Sequence, residues 1–145
     1  MKAYDPYMHT AEHILNQTMV RKFSCDRSFT NHLEKKKSKC DYRFQRALTS
    51  EEEKDIEDTV NQQIRRNLDV TDRMVPREEA LKSFDLEKLP DAAGEIIRLV
   101  SVGDYDVCPC IGDHVANTSE IGTFVLISSS FEEDILRIRF KLKKP

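Results

Sequence analysis

Over residues 135–144 the chain alternates without a break, with Leu136, Ile138, Phe140 and Leu142 on one side and Arg137, Arg139, Lys141 and Lys143 on the other. Successive side chains of a β-strand point to opposite faces, so this pattern predicts a strand with one apolar face and one row of four cations. Such a face has to be covered by a second layer, which commits the chain to a sheet packed on helices or on another sheet. Residues 123–129 read as a partner strand, joined to the last one by an acidic turn over 131–134.

The covering layer is also legible. Thr49 followed by Glu52 has the form of a capping box, and Ile56, Val60, Ile64 and Leu68 recur every four residues. Together they predict an amphipathic helix over 50–68, whose acidic first turns suit the positive end of its dipole. A first helix is predicted over 8–22 from Ala11, Leu15 and Met19, with Ile14 widening the stripe. Between the two helices, a polar, basic turn leads into a strand over 40–47 that places Tyr42 and Phe44 on one side. Residues 70–75 read as a short strand and 76–83 as a short helix with proline in its first turn. Residues 89–94 read as a connector, 95–102 as an apolar strand, and 108–118 as an aperiodic loop. Helices inserted among antiparallel strands predict the α+β class, an antiparallel β-sheet covered by helices, in one domain over 1–145.

A net charge of −3 carries no signature of general nucleic-acid affinity, and DNA is not an expected partner. The charge is nevertheless segregated. Lys35, Lys36, Lys37, Lys39, Arg43 and Arg46 form a basic block, and Glu51, Glu52, Glu53, Asp55, Glu57 and Asp58 an acidic one. No apolar run approaches the roughly 20 residues of a membrane span, and no leader pattern opens the sequence. The expectation is a cytoplasmic protein with no membrane partner. In that reducing compartment Cys25, Cys40, Cys108 and Cys110 are better read as metal ligands or buried thiols than as disulfides.

His9 and His13 stand one helical turn apart, the spacing that lets two imidazoles reach a single ion. About a hundred residues later Cys110 and His114 add a thiolate and a third imidazole on a glycine-containing loop. These nitrogen and sulfur donors suit Zn2+, although spacing alone does not require the two pairs to meet. Glu12 lies directly before His13, not after His9, so the metalloprotease helix mechanism does not transfer. Cys108 is a second thiol beside Cys110.

The motif His9-Thr10-Ala11-Glu12-His13-Ile14-Leu15 resembles the first metal motif of the alanyl-tRNA synthetase editing domain and its free-standing, AlaX-type relatives. Pro109-Cys110-Ile111-Gly112-Asp113-His114-Val115, continuing through Thr118, Glu120, Ile121 and Gly122, resembles the second. The segments Leu48-Thr49-Ser50-Glu51-Glu52 to Leu68 and Ile97 to Asp106 are similar to the long helix and the strand between the motifs. The resemblance covers nearly the whole chain and implies the fold shared by threonyl- and alanyl-tRNA synthetase editing regions. It implies zinc ligands at His9, His13, Cys110 and His114, and an active-site threonine at Thr10. It further implies hydrolysis, in trans, of the ester joining serine or glycine to the tRNA for alanine.

Departures from the family pattern are concentrated in the second motif. Ile111, Gly112 and Asp113 stand where the family has two glycines and a threonine, so Asp113 brings a carboxylate beside the ligands and joins Thr10 as a candidate catalytic residue. The family's glutamine and Gly-Ser pair have no counterpart around residues 30–38. These differences keep two other readings open: an aminoacyl-ester or amino-acid binding module of the same fold, and a zinc-stabilised structural module. Contacts to the tRNA backbone are expected from Lys35, Lys36, Lys37, Lys39, Arg137, Arg139, Lys141 and Lys143.

Overall fold

The computed structural model describes residues 5–82 and 95–144. Helix α1 (Pro6–Phe23) begins where the Asp5 carboxylate accepts the Tyr7 and Met8 N–H groups at 3.0 and 3.1 Å. Pro6 fills a first-turn position that needs no donor. The helix ends at Ser24, whose φ of 55° turns the chain away. Strands β1 (Thr30–Leu33) and β2 (Ser38–Arg43) follow, then helix α2 (Ser50–Arg65), β3 (Val70–Pro76) and the short α3 (Arg77–Leu81). Strands β4 (Ile96–Val102) and β5 (Asp106–Pro109), a 3-10 turn over Thr118–Glu120, and β6 (Thr123–Glu132) and β7 (Ile135–Lys143) complete the order.

All strand pairs are antiparallel, in a four-stranded sheet of order β1-β2-β7-β6 and a three-stranded sheet of order β3-β4-β5. The class is therefore α+β. Both long helices lie on one face of the larger sheet. Ile14, Leu15 and Met19 of α1 and Ile56, Val60 and Ile64 of α2 pack with Tyr42, Phe124, Leu136, Ile138 and Phe140. A smaller cluster of Val75, Ile97, Leu99 and Ala80 closes α3 onto the second sheet.

The two helices are built on different terms. In α2 only Ile56, Val60, Asn61 and Ile64 are buried, the single stripe its periodicity predicts. Its capping box forms as expected, with reciprocal Thr49 and Glu52 bonds of 2.9 and 3.1 Å. In α1, every residue from Met8 through Asn16 is buried, because the side facing away from the large sheet is covered by β5 and the loop that follows it.

Several boundaries differ from the sequence reading. The basic segment before residue 40 contains β1 and the turn of a hairpin, and within β1 Leu33 alone is buried. The strand expected over 40–47 runs instead over Ser38–Arg43. Helix α2 ends at Arg65, short of 68, because Asn67 takes the left-handed conformation at φ 55°. Residues 106–109, partly assigned to a loop, form β5 against β4. The acidic turn narrows to Glu133 and Asp134, both with positive φ, as a two-residue hairpin of right-handed twist requires. The connector expected over 89–94 lies outside the described residues. Gly103, at φ 51°, donates to the Asp69 carbonyl at 2.8 Å, and a Cβ there would sit 2.8 Å from Leu68 Cδ2.

Asn61 is the polar pin between layers: its amide donates to the Phe124 carbonyl and accepts the Phe124 N–H, both at 2.8 Å. Truncation orphans two buried backbone groups at once. Asn61→Ala is expected to cost about 2–3 kcal/mol in urea unfolding. The exposed capping change Thr49→Ala should cost about 1 kcal/mol.

Candidate metal centre

Helical spacing and the Asp5 cap set His9 and His13 on the covered side of α1, their rings edge to face with centroids 5.0 Å apart. Opposite them, β5 delivers the second pair. The Cys110 N–H donates to the Arg98 carbonyl at 3.1 Å, extending the β4–β5 ladder to the start of the loop. The Arg98 guanidinium donates to the Gly112 carbonyl at 2.6 Å and holds Asp72 at 2.7 Å, so β4 fixes the loop from below. Val115 N–H reaches Thr10 Oγ1 at 3.2 Å and ties the far end of the loop to α1.

Those ties bring His9, His13, Cys110 and His114 together, with one ligating atom from each lying within 4.8 Å of all the others. Cys110 Sγ lies 3.1 Å from His9 Nε2 and 3.5 Å from His114 Nε2, and the His9 and His114 rings stack at 4.1 Å. The outer nitrogen of each ring has an oxygen beside it. His9 Nδ1 is 3.0 Å from the Asp113 carbonyl, His114 Nδ1 is 2.9 Å from Thr10 Oγ1, and His13 Nδ1 is 3.3 Å from Asp106 Oδ2. Metal-binding imidazoles are held this way, the outer N–H donating to an oxygen so that the inner nitrogen keeps its lone pair for the ion.

The electrostatics separate the two neighbouring thiols. Burial opposes ionisation of Cys110, yet hydrogen bonding to His114, His13 and His9 outweighs it and brings the thiol down to about 3. Two residues earlier, burial pushes Cys108 up to about 12, against the weaker pull of Arg27. Burial lowers His114 to about 4. For His13 burial works in the same direction, but Glu12, Asp106 and Cys110 together raise it to about 9. A thiolate among imidazoles is a donor set for a divalent transition metal, and these residues could hold one.

Thr10 is wholly buried behind His114, where its hydroxyl oxygen bridges the ring and the Val115 N–H. Asp113 reaches the cluster through its carbonyl, while the residue itself is exposed. Beside His114 opens a cleft of about 200 Å³ lined by Val70, Thr71, Asp72, Arg98, Val100, Val115 and Ala116. Ile111 stands exposed on the same loop.

The eight cations named from sequence lie elsewhere. Lys35, Lys36 and Lys37 are exposed in the β1–β2 turn, and Lys39 stands across the ladder from Arg139. With Arg137, Lys141 and Lys143 these occupy strand positions alternating with the buried Cys40, Leu136, Ile138 and Phe140, on the sheet face turned away from α1 and the cluster. Arg137 is engaged by Asp41 through two bonds of 2.7 and 2.9 Å, and those bonds hold Asp41 below its ordinary value.

Sequence reasoning missed Arg98, Asp106, Arg27 and Gln17, all of which contact the site or its supports. Arg27 and Asp106 stand 79 positions apart in the chain, and no local spacing marks them.

Comparison with known proteins now bears on the same residues. The family described as threonyl and alanyl tRNA synthetase second additional domain matches residues 97–139, from β4 into β7 and across Cys110 and His114. The chain belongs to this family. It is 36% identical over 123 residues to an alanine–tRNA ligase of Ligilactobacillus salivarius, covering 84% of this chain and 14% of that protein. Alanine–tRNA ligases of Fervidobacterium nodosum and Coxiella burnetii are 32% and 33% identical over 123 and 124 residues, with the same coverage. The chain thus spans 14% of the length of these relatives. Among the described residues no helix is long and apolar enough to cross a membrane.

The opposite behaviour of the two thiols sets a test of the cluster. Purified identically, Cys110→Ala is expected to lose most of its bound metal, and Cys108→Ala to keep it, in elemental analysis of both variants. Full metal in Cys110→Ala with loss in Cys108→Ala would reverse the assignment.

Proposed function

We propose that the protein hydrolyses the ester bond of a mischarged tRNA, with Zn2+ held by His9, His13, Cys110 and His114. The observation that supports it is the convergence of four ligating atoms next to a cleft that His114 itself lines. Membership of a tRNA-synthetase domain family and similarity to alanine–tRNA ligases favour an aminoacylated 3′ end as the substrate, with seryl or glycyl esters on the tRNA for alanine the first to examine.

Hydrolysis adds water to the ester carbonyl, breaks the bond to the ribose oxygen, and returns a proton to that oxygen as the amino acid leaves. With all four residues holding it, zinc would supply Lewis acidity to water or a carbonyl oxygen only through an additional, exchangeable position. The chain's own residues supply the geometry. Thr10 fixes the His114 ring, and the Asp113 carbonyl fixes His9. Arg98 holds the loop through Gly112 and is among the residues lining the cleft. Val70, Val100, Val115 and Ala116 supply the apolar part of the cleft's lining and Thr71, Asp72 and Arg98 the polar part, while Ile111 and Asp113 are exposed on the loop that carries His114.

Backbone contacts to tRNA are assigned to Lys35, Lys36, Lys37, Lys39, Arg139, Lys141 and Lys143, with Arg137 contributing least because Asp41 already engages it. The strand cations Lys39, Arg139, Lys141 and Lys143 lie on the sheet face turned away from α1, so a tRNA touching both them and the cleft has to pass an edge of the molecule.

The test is deacylation of seryl- and glycyl-tRNA for alanine by zinc-loaded protein. Ester loss well above the buffer rate is expected, slowed at least tenfold in His114→Ala, and charge reversal at Lys35, Lys36, Lys37 and Arg139 should weaken tRNA binding and flatten its salt dependence. Loss no faster than in buffer contradicts the enzymatic reading. An unchanged salt dependence removes the basic face.

A further inference from the structure

Among the described residues, the outer nitrogen of His13 faces a carboxylate. Its Nδ1 is buried, has no well-aligned hydrogen bond among the described residues, and lies 3.3 Å from Asp106 Oδ2. Asp106 is itself almost fully buried, at 1% exposure, on the first residue of β5. A carboxylate in such a place needs partners, and two side chains supply them. Arg27 donates to both oxygens at 2.7 and 3.4 Å, and Gln17, one turn beyond His13 on α1, donates to Oδ1 at 3.1 Å. Oδ1 thus takes the short bonds from Arg27 and Gln17. Among the described residues, Oδ2 takes the long Arg27 contact and lies 3.3 Å from His13 Nδ1.

This division of labour has a purpose that core packing does not explain. A buried ion pair between Arg27 and Asp106 alone is poor stabilisation compared with apolar residues of the same volume. The same pair set against the outer nitrogen of a metal-binding imidazole does something specific. It fixes the tautomer with the proton on Nδ1, locks the ring plane, and makes the inner nitrogen more basic. We infer that Asp106, clamped by Arg27 and Gln17, is the positioning residue for His13, and that its carboxylate sets the affinity of the four-residue site for zinc. His9 and His114 have neutral oxygens in the corresponding position, the Asp113 carbonyl and the Thr10 hydroxyl. The carboxylate support is therefore particular to His13.

The inference rests on the four residues binding zinc and does not depend on the hydrolytic reading. Zinc affinity is measured by competition with a chromophoric chelator for the wild type, Asp106→Asn and Gln17→Met. Asp106→Asn keeps the shape and removes the charge, and is expected to weaken zinc binding by about 10–100-fold. Gln17→Met, which removes one donor to Oδ1 and leaves the carboxylate charge in place, should weaken zinc binding by less than Asp106→Asn does. A second measurement is independent of whether Asp106→Asn folds. In zinc-loaded wild type, long-range nitrogen–proton NMR of the His13 ring should show the proton on Nδ1, slow to exchange. A loss of less than about tenfold in folded Asp106→Asn overturns the inference, as does a His13 ring protonated on Nε2. Wild-type protein that binds no zinc sinks the metal reading and this one together, whereas inactivity on charged tRNA leaves this one standing.

Discussion

The seam between α1 and the loop that follows β5 is the contact on which the rest of the molecule depends. Along it, nine successive residues of α1, Met8 through Asn16, are buried, although five of them carry polar side chains. A helix covered all round is ordinarily apolar all round. This one departs from that rule because its polar side is matched group by group. His9, Thr10 and His13 meet the loop and β5, while Glu12 is met by Asn16, which also accepts the Ser28 N–H at 2.6 Å. Without the loop these groups would face water, and without α1 the loop would lose its anchors at Thr10 and His9.

The same seam concentrates buried charge. His13, Asp106, Arg27, Glu12 and Cys110 lie within one region, and each is shifted by or shifts another. Removing any one partner leaves a neighbour buried without compensation, which costs more than the assembled set returns in stability. Interiors of this kind are typical of sites, where the arrangement of charge serves binding or chemistry ahead of folding. Folding is carried elsewhere, by the apolar contact of α1 and α2 with the large sheet and by the Asn61 pin.

What could be seen in the sequence follows from how local each signal is. The capping box and stripe of α2 are decided within a few residues, and so is the alternation of β7. His9 with His13 and Cys110 with His114 are also local pairs, and their meeting became an expectation only through resemblance to a family. β1 stayed hidden because it is four residues long at a sheet edge and buries only Leu33. β5 stayed hidden because Pro109 argues against a strand and is tolerated only where it ends an edge. Asp106 and Arg27 carry no pattern at all, since their partnership exists only once β5 lies against α1. The buried placement of Thr10 and the outward placement of Asp113 likewise depend on the path of the loop and not on spacing.

The central claim is that three imidazoles and one thiolate converge on a single ion. X-ray absorption at the zinc edge of the loaded protein measures this directly. One sulfur at about 2.3 Å and three nitrogens at about 2.0–2.1 Å are expected. A shell of oxygen and nitrogen with no sulfur scatterer, or an ion surrounded by water alone, would contradict it.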